Sequence, residues 1–171
     1  FGKIKSQRGF YGADYNLSET NKAHDGINNL YRVSKSVIEA DVFINLPKLK
    51  THKKAGITCC LKNLVGINTY KNYLPHHSEG DVKEGGDQFP TSNVKSKIEG
   101  PFVAFVRNKL LQNTKIANFM GHFRKFGLLI FGKSEYTIRS GNWYGNDTVW
   151  RMILDLNKTL FYANPDGSFR T

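Results

Sequence analysis

The stretch Asp41-Val42-Phe43-Ile44-Asn45-Leu46-Pro47-Lys48-Leu49-Lys50-Thr51-His52-Lys53-Lys54 decides how this chain is read. Its opening run, Asp41 to Leu46, is short, apolar and β-branched and is ended by Pro47, the pattern of a buried strand. Lys48 to Lys54 then reads as a basic loop. From Ala55 to Ile67, the residues Ile57, Leu61, Leu64 and Val65 fall at helical spacing and predict a helix. A buried strand feeding a helix is the arrangement of an α/β unit.

Working outward, Tyr31 to Glu39 predicts a helix with Val33, Val37 and Ile38 on one side, and the first 25 residues or so read as irregular or edge structure. Between Asn68 and Asn93, Pro75, Gly80, Gly85, Gly86 and Pro90 rule out long regular elements. A loop this long in a compact domain is functional or disordered as a rule. The basic, apolar region from Gly100 to Lys133 suits one or two helices. Asp147 is placed to cap a helix running to about Lys158, with Trp150 and Leu154 in the core. Leu160 to Ala163 reads as strand and Asn164-Pro165-Asp166-Gly167 as a turn. The expected fold is α/β, a mixed or parallel sheet with flanking helices, in one domain over residues 1–171.

In α/β sheets, ligands sit in the crevice outside the carboxyl ends of the strands, and a helix start there favours an anion. Lys48, Lys50, Thr51 and His52 occupy that place. Lysines, a hydroxyl and an imidazole suit a phosphate or carboxylate, and His52 is the candidate to move a proton near neutral pH. Lys62 and Asn63, on the following helix, would add a cation and a mixed donor and acceptor. The opposing reading is a solvated basic loop joining two elements.

Further candidates lie downstream. His76 and His77, with Glu79, Asp81, Glu84 and Asp87 nearby, include ligand types for a divalent metal. Adjacent histidines tend to point different ways, so the loop is read as substrate-binding and no metal site is assigned. In Arg139-Ser140-Gly141-Asn142-Trp143-Tyr144-Gly145-Asn146-Asp147, the glycines allow close backbone approach, and Asn142 and Asn146 are further substrate-binding candidates. The glycine spacing matches neither dinucleotide- nor mononucleotide-loop fingerprints. Phe102 to Phe131 interleaves aromatics with Arg107, Lys109, Lys115, Arg124 and Lys125, a pattern of core packing or of a membrane-surface contact.

Among 171 residues, 25 Lys and Arg face 14 Asp and Glu, a net charge of +11 that favours anionic partners. A small anionic ligand is the expected partner, a membrane surface the second, and nucleic acid a poor third, for want of a recognisable nucleic-acid motif. The two cysteines, Cys59 and Cys60, are neighbours, which disfavours a disulfide between them and suggests a reducing, cytoplasmic setting. They also lack the spacing for an iron–sulfur cluster, and no cofactor is named by the sequence. The chain opens on Phe1 rather than Met, so a trimmed chain is expected.

The central motif resembles a known family, that of the domain of unknown function 362 (DUF362). Its residues here are Pro47, Lys48, Lys50, Thr51 and His52, then Gly56, Thr58, Lys62, Asn63 and Gly66. His24-Asp25-Gly26, the Leu74-Pro75-His76-His77 loop and the Gly141 to Asp147 segment are similar to outer pieces of it. The resemblance implies an α/β protein without an assigned reaction. It also implies more sequence before the motif, making this chain a C-terminal piece. Many members carry ferredoxin-like cysteine clusters, which this sequence lacks.

Overall fold

A computed structural model describes residues 6, 8–12, 16–91 and 141–170. The expected helices between Gly100 and Lys133 lie outside the described residues, as do Arg139 and Ser140. The class is mixed α/β, and among the described residues the strands form two short antiparallel ribbons. The first pairs β1 (Phe10–Tyr11) with β4 (His77–Ser78), Phe10 opposite Ser78 and Tyr11 opposite His77. The second is a hairpin of β2 (Lys50–His52) and β3 (Gly56–Thr58), with Lys50 opposite Thr58 and His52 opposite Gly56.

Helix α1 (Leu17–Ala23) begins at Asn16, whose side chain accepts from the Ser18 amide at 3.0 Å. It is fastened to β1 by Asn21, which accepts from Phe10 N at 2.8 Å and donates to Phe10 O at 2.9 Å. The amide thus takes the place of a neighbouring strand. Gly9 makes room for it: a Cβ there would lie 2.2 Å from Asn21 Oδ1. Two single-turn helices follow, α2 (Lys35–Ile38) and α3 (Cys60–Asn63), the latter continuing as a 3₁₀ turn over Leu64–Ile67.

The long element is α4 (Thr148–Tyr162). Val149, Met152, Ile153 and Leu156 are buried along one stripe at spacings of three and four residues, the signature of a helix with one core face. With Leu74 they form the core cluster, against which Tyr31, Val33, Ala55 and Val65 pack. Asn157 pins α3 to α4 by donating to Leu61 O at 3.1 Å and to Ile153 O at 2.7 Å.

The N-terminus of α4 corrects one expectation. Asp147 makes no cap; it pairs with Arg151 at 3.0 Å. The capping groups are Asn146, accepting from Val149 N at 2.9 Å, and the distant Asp87. Buried Asp87 accepts from Asp147 N at 2.8 Å, Thr148 N at 2.6 Å and Thr148 Oγ1 at 2.7 Å through one oxygen. Its other oxygen takes Ser78 N at 2.6 Å and Ser78 Oγ at 3.2 Å. One carboxylate therefore joins β4 to the start of α4.

Other expectations change with the packing. Trp150 is 43% exposed and Leu154 is also on the outer side of α4, one residue off the buried stripe. Leu160 to Tyr162 continue the helix; Ala163 alone bridges to Phe169, around the expected turn at Asn164 to Gly167. The helix expected over Tyr31 to Glu39 contracts to α2.

The largest correction concerns Asp41 to Leu46. This run forms no strand and pairs with none among the described residues, and from Ala40 to Leu49 no backbone hydrogen bond is made among them. Val42, Ile44 and Leu46 are 75%, 73% and 86% exposed. Its anchor is Asn45, which donates to Cys60 O at 2.8 Å and accepts from Asn63 Nδ2 at 2.8 Å.

Candidate functional site

The expected basic loop is instead the β2–β3 hairpin. Lys53, Lys54 and Ala55 make its turn, and Gly56 follows at φ 74°, the left-handed residue that closes a three-residue hairpin loop. This glycine is why a helix does not start at Ala55. Side chains alternate across a strand, and directly opposed residues share a face. Lys50, His52 and Thr58 therefore lie on one face, and Thr51 and Ile57 on the other.

The first face gathers charge. Burial and then the positive charges of Lys62, Lys54 and Lys50 push His52 below its ordinary value. Burial and then Lys50 push Lys62 down in turn. His76 is lowered to about 4, chiefly by burial, with Lys54, Lys62 and His52 adding to it against a hydrogen bond to Leu74 that favours its charged form. Lys50, His52, Lys62 and His76 thus sense one another across β2, α3 and the loop before β4. For Lys50 and Lys62, no ion pair with a carboxylate is formed among the described residues. Thr58 adds a buried hydroxyl without a hydrogen-bond partner among the described residues.

The tautomers of the two imidazoles are set by their neighbours. His52 Nδ1 accepts from the backbone amides of Lys54 at 3.2 Å and Ala55 at 3.1 Å. A nitrogen that accepts carries no proton, so the neutral ring holds its hydrogen on Nε2. His76 is the reverse: Nδ1 donates to the Leu74 carbonyl at 2.9 Å.

Other expected residues are placed elsewhere. Lys48 is exposed on the extended run, and Thr51 is exposed on the opposite face of the hairpin. Asn63 is exposed and bonded to Asn45. His77 points away from His76 and stacks on Tyr11, ring centroids 5.2 Å apart. Asn146 is buried and structural: besides its cap, it donates to His76 O and Gly141 O, both at 2.9 Å. Asn142 is half-buried in the turn before it. Trp143 donates to Asp87 O at 2.8 Å, and Tyr144 is 99% exposed. Among the described residues, no three His, Cys, Asp or Glu side chains converge as metal ligands.

A separate, mostly apolar groove of about 360 Å³ lies between the extended run and α4, lined by Phe43, Cys60, Leu61, Leu64 and Phe161 among others. No local pattern marks this groove, because it forms only where Phe43 comes beside Phe161 of α4. No helix among the described residues is long and apolar enough to cross a membrane.

The protein of Synechocystis sp. named "Thylakoid-associated protein sll1697" is 52% identical over 42 residues, which make up 25% of this chain and 13% of that protein. The matched stretch is thus a small part of the relative's length. No solved structure matches the chain. The family model described as "Domain of unknown function (DUF362)" matches residues 8–169, and the chain belongs to that family.

Proposed function

We propose that the hairpin face binds a small anion bearing a phosphate or carboxylate group, with Lys50 and Lys62 supplying charge and His52 a directed donor. The observation that carries this reading is that Lys50 and His52 share one face of the hairpin and that Lys62, on α3, is near enough for their charges to act on one another, with His52 and Lys62 partly buried. Like charges brought together and desolvated repel one another, and an oxyanion relieves both costs. Thr58 supports the reading, because a buried hydroxyl left unbonded costs about 1–3 kcal/mol that an oxygen acceptor would recover. The proton-transfer role expected of His52 is set aside, since its Nδ1 is occupied by two amides.

The test is titration calorimetry with inorganic phosphate, acetate and sulfate on the chain and on Lys50→Ala and Lys62→Ala. At least one anion is expected to bind, and each substitution to weaken it by about tenfold or more, the loss of one charge-assisted bond. Equal affinity in all three proteins sinks the proposal.

A second reading rests on the exposed run. Val42, Ile44, Leu46 and Leu49 stand beside exposed Lys48, Lys50 and Lys53, apolar and cationic groups together as on a protein that rests on an anionic bilayer. The name of the cyanobacterial relative points the same way. A backbone left unpaired among the described residues speaks against deep insertion, because lipid cannot bond its amides. Binding to phosphatidylserine vesicles that collapses between about 0.05 and 0.5 M salt supports this reading, and equal binding to neutral vesicles removes it. Free thiols at Cys59 and Cys60 fit a reducing, cytoplasmic location under either reading.

A further inference from the structure

We infer that His52 serves the anion site as a neutral hydrogen-bond donor through Nε2–H, held in that tautomer by the backbone amides of Lys54 and Ala55. The inference deepens the anion-site reading and rests on it for the ligand. The hairpin turn itself fixes the ring: both amides converge on Nδ1, at 3.2 and 3.1 Å. Placing a proton on Nδ1 would set one N–H against two others and break both bonds. The turn is short, with Gly56 already in the left-handed conformation, so the amides have little freedom to turn aside.

The charged groups around the ring favour the same state. Lys50 shares its face, Lys62 and Lys54 repel a proton on it, and a charge on it is felt by His76 on the loop before β4. A neutral ring with a fixed N–H offers an oxyanion a donor without adding to the crowd of positive charge. The ligand class follows from the donors. The ammonium groups of Lys50 and Lys62 and the Nε2–H of His52 can all donate and none can accept, so these groups suit a fully ionised oxyanion: a dianionic phosphate ester, a sulfate or a carboxylate. An acid that keeps its own proton finds no acceptor for it among these three groups and offers them fewer acceptor sites.

The experiment uses sulfate as the probe, because it does not titrate near neutrality. Its affinity for the whole chain is measured from about pH 7.5 to 6, with Lys62→Ala as control, and the tautomer of His52 is read by ¹⁵N–¹H correlation in the free and loaded protein. A neutral donor gives an affinity constant within about twofold and an unprotonated Nδ1 in both states. A cationic ligand-binding ring with an ordinary pKa would tighten binding by about eightfold or more over that range. Such tightening, or a proton on Nδ1 in the loaded protein, overturns the inference while leaving the anion site standing. Sulfate binding that Lys62→Ala leaves unchanged overturns the anion site and this role with it, as does failure of sulfate, phosphate and acetate all to bind. A free protein whose Nδ1 is protonated overturns the tautomer independently of any ligand.

Discussion

Replacing Asp87 tests the architecture most sharply. Its two oxygens take three backbone amides, Ser78 N, Asp147 N and Thr148 N, and the hydroxyls of Ser78 and Thr148. Asp87→Ala strands those three amides in a buried place. At about 1–1.5 kcal/mol for each, the expected loss is about 3–5 kcal/mol, a large part of the 5–15 kcal/mol typical of a whole domain. Asp87→Asn is nearly as harmful. Whichever way the new amide is turned, its NH₂ meets a backbone N–H, from Ser78 on one side or from Asp147 and Thr148 on the other. Losing the negative charge at the start of α4 adds about 0.3–1 kcal/mol. The assay is urea unfolding followed by far-ultraviolet circular dichroism, with the denaturant slope unchanged between variants. Asp147→Ala is the control, since the Asp147 side chain gives α4 no cap and its pair with Arg151 is partly exposed, worth about 0.5 kcal/mol or less. A loss below about 1 kcal/mol for Asp87→Ala, or parity with Asp147→Ala, refutes the reasoning.

Gly86→Ala is expected to destabilise by about 2–4 kcal/mol, because the new Cβ would lie 2.4 Å from Glu79 O and 2.5 Å from Gly80 O; a wild-type melting temperature would show that the loop yields. Asn157→Leu removes the bond from α4 to Leu61 O and should cost about 1–2 kcal/mol, read as a lowered melting temperature and faster amide exchange in α3. Stability should also fall as pH drops from about 6.5 toward 4. His76, lowered to about 4 in the folded chain, stays neutral there while the unfolded chain takes up the proton. For a half-buried ring, screening limits this contribution to up to about 2 kcal/mol. His76→Gln should flatten that slope, and an unaltered profile would count against the shift.

The sequence showed most where residues act on near neighbours. The turn at Asn164 to Gly167 and the helix from Thr148 follow from local chemistry, and Lys50, His52 and Lys62 were singled out by their types and order. What escaped it depends on distance. Beside the local Asn146, the cap of α4 comes from Asp87, 60 residues away from Asp147, and no local pattern marks a carboxylate for that task. Helical spacing of Ile57, Leu61 and Leu64 masked the left-handed Gly56, whose hairpin puts Thr51 and His52 on opposite faces. For His77 and Asn146 the residue types suited a ligand, but packing had already engaged Asn146 with His76, Gly141 and Val149 and set His77 against Tyr11.

The bare run at Asp41 to Leu46 has a consequence for handling the protein. Val42, Phe43 and Ile44 favour a strand strongly, and a proline-free run around them with no backbone hydrogen bond among the described residues is a template for cross-β growth. Asp41 at one end and Pro47 with Lys48 at the other act as gatekeepers, and they stop such growth from spreading along the chain without removing its seed. Concentrated solutions should therefore drift toward fibrils that bind thioflavin. A single lysine at Ile44 should slow that drift while leaving α4 and the cation cluster as they are.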